Sequence, residues 1–172
     1  MPRAAAIMTF TLLLYPALAV AADAPALIAE RLSLMKDVAI YKSVRDIPVE
    51  DLQREAVVID AAVKAAALHG LEPETTRVFF KAQIDAAKAI QACWIERWSA
   101  GEVRPADGAD LVEEIRPELL RLGDAIVAAI ALDARGGDTA DLEAFEQSVS
   151  VECLSQSSRS AIARALAGIQ LR

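Results

Sequence analysis

Beyond its first two dozen residues this chain has no stretch in which β-branched and polar residues alternate. Its apolar residues recur every three or four positions, Ala is abundant, and Pro and Gly fall between the periodic runs. That pattern limits the fold to helices packed on helices. The spacing predicts a first helix from Pro25 to Val44, ending before Asp46 to Pro48, and a second from Val49 to His69, stopped by Gly70. A third opens at Pro73, a residue suited to a first helical turn, and runs to Trp98. After the loop "SAGEVRPADG" a fourth helical region covers Ala109 to Arg135, interrupted or started by Pro117. Two shorter helices are expected at Leu142 to Val151 and Ser157 to Leu171. The expected fold is all-α, a bundle of about six helices. His69 needs no chemistry: a cation in a last turn followed by a Gly cap accounts for it.

Residues 1–22, "MPRAAAIMTFTLLLYPALAVAA", carry one basic residue, an apolar run and then small residues. This is the layout of a secretory signal peptide, with cleavage after Ala21 or Ala22. Thr9, Thr11 and Pro16 break the run, which is short for a membrane anchor. The mature part, 23–172, is then one domain of about 150 residues, periplasmic or secreted, with no further segment able to span a membrane. The full chain has 18 Lys and Arg against 25 Asp and Glu, a net charge of −7, and removal of Arg3 with the leader makes it one unit more acidic. Nucleic acids and anionic membranes need a basic footprint, so neither is an expected partner. No cluster of residues has metal-ligand spacing. Cys93 and Cys153 are either a disulfide, which export permits, or two buried thiols; sequence leaves both open.

Several cations stand where apolar residues are expected. In "ERLSLMKDVAIYKSVRDIPVEDLQRE" (Glu30 to Glu55), Arg31 and Lys42 are eleven residues apart. On a helix they project within about 20° of each other, about 16 Å apart along the axis. Leu34, Val38 and Tyr41 continue the stripe between them. The second helix offers Asp51, Arg54, Glu55 and Val58 on one face, and the third offers Ile84, Ala87 and Gln91. Together they suggest an inter-helix pocket lined by cations, an acid and an amide. The plainer alternative has Lys and Arg snorkelling to water and Asp51 or Glu50 pairing with Arg54 along the helix.

The same run resembles the N-terminal half of the AroQ-type chorismate mutases. These all-helical enzymes carry an Arg-x10-Lys pair on the first helix and an Asp-x-x-Arg-Glu group on the second. Arg31, Lys42, Asp51, Arg54 and Glu55 stand at those positions without a gap. "LEPETTRVFFKAQIDAAKAIQ" is similar to the start of the last core helix of the family, which ends in a Gln or Glu facing the substrate, here Gln91. The leader and the longer chain resemble the exported (gamma) subclass. There an Arg from the C-terminal half completes the site of its own chain, and Arg116 fits that place through "DLVEEIRPELLRL". The likeness is good from Leu27 to Trp98 and looser beyond. Ala87 departs from the Ser or Thr of many members, and the cysteines match no spacing of the subclass.

The resemblance implies an isomerase that rearranges chorismate, a small dianion, to prephenate. The reaction is pericyclic and needs no nucleophile, proton transfer, metal or cofactor. Its demands are a held reactive conformer, two paired carboxylates and relief of charge on the breaking ether oxygen. Arg31, Arg54 and Arg116 suit the carboxylates as planar bidentate donors. Lys42 and Gln91 suit the ether oxygen, and Glu55, with Asp51 nearby, suits the ring hydroxyl. Val38, Val49 and Ile84 would form walls. Helical domains of this class often form homodimers. The rival readings are an inactive exported binder of a small dicarboxylate, favoured by Ala87, and a helical adaptor, to which Trp94 and Trp98 at i and i+4 could belong.

Overall fold

The computed structural model describes residues 23–137 and 141–172; the expected leader lies outside them. Among the described residues the structure is all-α apart from one isolated bridge. Asp23 caps α1 (Ala24–Ser33) by accepting from the Ala26 N–H at 2.9 Å, with Pro25 in the first turn. α2 (Met35–Val44) follows at once. The single helix expected from Pro25 to Val44 is thus two segments. The Ser33 hydroxyl bonds the Glu30 carbonyl at 2.7 Å, the acceptor that the Leu34 N–H would use in a regular ladder, and that N–H turns to Leu32 instead. Leu34 stays right-handed (φ −64°, ψ −12°), so the break does not turn α2 away from the face α1 presents.

α3 (Leu52–Leu68) begins later than expected. Asp51 is its N-cap, accepting from the Arg54 N–H at 3.0 Å, and Val49 and Glu50 remain in the loop. It ends at His69, where Gly70 takes φ +73°, a conformation that costs any side-chain-bearing residue steric energy. α4 (Pro73–Ser99) matches the expected span within a residue. Glu72 caps it through the Thr75 N–H at 2.8 Å. Its 27 residues make a rod about 40 Å long, against which α1, α2, α3 and α7 pack.

The fourth helical region starts as a π-helical turn (Leu111–Ile115) and becomes α5 (Arg116–Gly136). Pro117 has no N–H to return to the turn before it, and its ring crowds that turn, so regular geometry starts only here. α6 (Leu142–Ser148) and α7 (Gln156–Ala167) are both shorter than expected. The last residues leave the helix to pair with the α3–α4 turn: Glu72 N–H donates to the Gln170 carbonyl at 2.8 Å and Arg172 N–H to Gly70 at 2.9 Å.

A continuous apolar core runs between these helices. Phe79 and Phe80 meet edge to face at 5.4 Å, with Ile28, Leu32, Leu122, Ile126 and Ile162 fully buried around the same interior. Trp94 is 2 % exposed, with the Lys36 ammonium 3.8 Å from its ring centroid, so the Trp94–Trp98 pair is a packing feature and not a docking patch.

Cys93 and Cys153 form a disulfide, with Cα atoms 5.9 Å apart, which settles the question that sequence left open. It ties α4 to the α6–α7 connection. The bond joins residues 60 apart, and a loop of that length is worth about 4 kcal/mol in a chain-entropy account. Replacing both cysteines by Ala is expected to lower the unfolding free energy by about 2–4 kcal/mol in a urea titration. An unchanged midpoint would mean that the bond adds nothing to stability.

Candidate active site

The pocket forms where α1 and α2, the start of α3, the middle of α4 and the start of α5 converge. It draws together all seven polar residues singled out from the sequence: Arg31, Lys42, Asp51, Arg54, Glu55, Gln91 and Arg116. Val38, Val49 and Ile84 contribute apolar surface to it.

Arg31 and Lys42 stand in the last turns of α1 and α2, where carbonyl ends favour cations. Arg31 is 4 % exposed, and its Nε and Nη1 are buried with no hydrogen-bond partner. Burial pushes its guanidinium down to about 10, far from its ordinary value. Lys42 is 7 % exposed and donates to the Val49 carbonyl at 2.7 Å. Burial lowers its pKa, with Asp51 and Glu55 acting upward and Arg116 downward. Arg54 and Arg116 occupy the first turns of α3 and α5. A helix N-terminus favours anions, so Arg54 is disfavoured by its own helix and strengthens the field that an anion meets, whereas Arg116 follows the π-helical turn and its N–H donates to the Leu111 carbonyl. Burial, then Arg116, lowers the pKa of Arg54, and Asp51 partly restores it.

The acids only partly balance this charge. Asp51 uses Oδ1 to cap α3 and brings Oδ2 to 3.9 Å from Arg116 Nη2. Glu55 accepts from Lys88 Nζ at 3.2 Å through Oε2, and its Oε1 is buried without a partner. Gln91 donates to the Ala87 carbonyl at 3.1 Å and reaches Met35 Sδ at 3.6 Å, a weak acceptor. Ala87 offers the pocket a methyl group where a hydroxyl would stand with Ser or Thr. Five cations and two carboxylates therefore line one cleft, which suits a small dianion.

Comparison with known proteins places the chain in a family. A family profile described as chorismate mutase type II matches residues 24–92. A monofunctional chorismate mutase of Enterobacter agglomerans is 32 % identical over 143 residues, covering 82 % of this chain and 78 % of that protein. The chain belongs to the chorismate mutases. A secreted chorismate mutase of Yersinia pestis is 38 % identical over 105 residues, 61 % of this chain and 56 % of its own. The crystal structure of the secreted chorismate mutase from that organism superposes with a TM-score of 0.82 at 30 % identity, over 87 % of this chain and 97 % of that one. The mutase is thus an isomerase acting on chorismate.

Lys88 was not anticipated as part of the mutase pocket. It lies four residues past Ile84 and three before Gln91, on the same helix face as the expected stripe, so helical spacing marks it although its partner Glu55 is 33 residues away. Met35, Leu111 and Leu119 also line the cleft. Leu111 and Leu119 follow from Arg116 once the path of α5 is known.

An unpaired buried guanidinium destabilises the fold. The native state holds the Arg31 proton less tightly than the unfolded chain, so the full penalty acts at every pH below about 10 and is released as pH rises from there toward the ordinary guanidinium range. A shift of that size corresponds to about 3 kcal/mol. Arg31→Met is therefore expected to raise the unfolding free energy of the ligand-free mutase by ~1–3 kcal/mol at pH 7. A variant that is less stable than wild type in a denaturant titration would show that Arg31 is compensated within the protein.

Proposed function

We propose that the mutase works by electrostatic and conformational preorganisation alone, on an exported protein. Arg31, Arg54 and Arg116 take the two carboxylates of chorismate as bidentate donors, which fixes the enolpyruvyl arm over the ring. Lys42 and Gln91 converge on the ether oxygen, where negative charge grows as the C–O bond breaks and the C–C bond forms. Gln91 has two N–H groups. One is held by the Ala87 carbonyl, and this orients the other, now spent on the weak Met35 sulfur, for a better acceptor. Glu55 accepts from the ring hydroxyl, with Asp51 close by. Val38, Val49 and Ile84 keep water from the reacting atoms. No bond to the protein forms at any stage. The observation that carries this reading is the buried, unpartnered Arg31 in the same cleft as a buried Lys42: the missing counter-charges are those of the substrate.

Export is supported by three features: the leader-like residues 1–22, the Cys93–Cys153 bond, which suits an oxidising compartment, and the likeness to a protein named as secreted.

The decisive experiment follows the loss of chorismate absorbance with protein beginning at Asp23. Lys42→Ala is expected to lower kcat by ~10² or more, as loss of an oxyanion-type donor does. A near-normal kcat would remove Lys42 from the ether oxygen. The amide of Gln91 is a neutral donor at every pH, so wild-type turnover is expected to stay nearly flat between about pH 5 and 8. A steep acid optimum would instead point to a protonated carboxyl as the donor.

A further inference from the structure

Glu55 is held from one side only. Its Oε2 is 3.2 Å from the Lys88 ammonium, while its Oε1 lies buried in the pocket with no partner. Without a restraint, a carboxylate beside Arg54, and near the Lys42 and Arg116 side chains that line the same cleft, would rotate and close onto one of those cations. Such a pair would take away both an acceptor and a cation that the substrate needs. Lys88 opposes this from the α4 side.

Lys88 is itself well held. Its ammonium also lies 3.6 Å from Asp85 and 3.8 Å from Glu50, and its side chain is only a quarter exposed. Burial works against its charge, but the hydrogen bond to Glu55, with Asp85 and Glu50 behind it, outweighs that and raises its pKa. Every cation of the pocket other than Lys88 is committed to the cleft itself, whereas Lys88 faces three carboxylates. We propose that Lys88 is a positioning residue of the mutase: it pins Glu55 Oε2 so that Oε1 is presented to the ring hydroxyl of the substrate. This rests on the role given to Glu55 above. The rival explanation makes Lys88 a plain clamp between α3 and α4, since Glu50 and Glu55 flank the α3 N-terminus and Asp85 belongs to α4.

The two accounts separate in a double-mutant cycle of Lys88→Met and Glu55→Gln. It is read on chorismate and on the chorismate analogue lacking the ring hydroxyl, with Lys88→Arg as the conservative variant. Lys88→Met is expected to lose about tenfold in kcat/KM on chorismate and Lys88→Arg less than about threefold. Added to Glu55→Gln, Lys88→Met should cost less than about twofold more, and on the analogue it should match wild type within the same margin. A Lys88→Met loss that adds fully to that of Glu55→Gln, or persists on the analogue, overturns the proposal and leaves Glu55 in its role. A Glu55→Gln variant with wild-type kcat/KM on chorismate overturns both, and does so without reference to Lys88.

Discussion

The charge of Arg31 cannot be balanced from within the protein, and much of the architecture follows from that. A guanidinium with two buried, unpartnered nitrogens is tolerated only if the surrounding helices over-determine its position. Four devices do so. α1 ends with Arg31 in its last turn, where the helix dipole is favourable. The break at Leu34 keeps α1 and α2 on one course. α4 gives both a long apolar partner, with Ile90 and Trp94 buried on it. The disulfide fixes the far part of α4 to the C-terminal helices. The core thus supplies stability that the pocket spends.

Several residues serve fold and pocket at once, which couples the two. Asp51 caps α3 with one oxygen and faces Arg116 with the other. The Val49 carbonyl is freed by that cap, because α3 starts at Leu52 and not at Val49, and it holds the Lys42 ammonium. Had α3 begun three residues earlier, that carbonyl would have joined the helix ladder and Lys42 would lack its anchor. The Ala87 carbonyl orients Gln91 in a similar way, as a helix acceptor shared with a side chain. Arg116 comes from the same chain as the rest of the cleft lining.

Much of this was legible in the sequence, for identifiable reasons. Arg31 and Lys42 are related by eleven residues and Asp51, Arg54 and Glu55 by three and four, spacings that a helix converts directly into a shared face. The turn at His69–Gly70 and the start at Pro73 are local chemistry and were read locally. What escaped depends on contacts between distant segments. The stop of α7 at Ala167 is set by pairing of Gln170 and Arg172 with the α3–α4 turn, a hundred residues away. The split at Leu34 hangs on one serine hydroxyl with no Pro or Gly to announce it. Lys88 shares a face with Ile84 and Gln91, but its pairing with Glu55 on another helix needed the fold, and so did the disulfide.

The overall acidity of the chain raises a further point: a protein of net charge −7 takes a dianion. At physiological salt the screening length is about 8 Å, so carboxylates on the far surface contribute little inside the cleft. The local count decides, and there five cations face two carboxylates. Lys88 is largely committed to Glu55, Asp51 and Glu55 only partly offset Lys42, Arg54 and Arg116, and Arg31 has no counter-charge. The N-terminus of α3 adds partial positive charge in the same direction. A dianion entering this cleft neutralises charges that already destabilise the empty protein, so part of its binding energy is relief of that strain. The burial that makes the field strong in the empty protein also makes it effective on an ether oxygen, because a charge interaction strengthens as the surroundings become less polar.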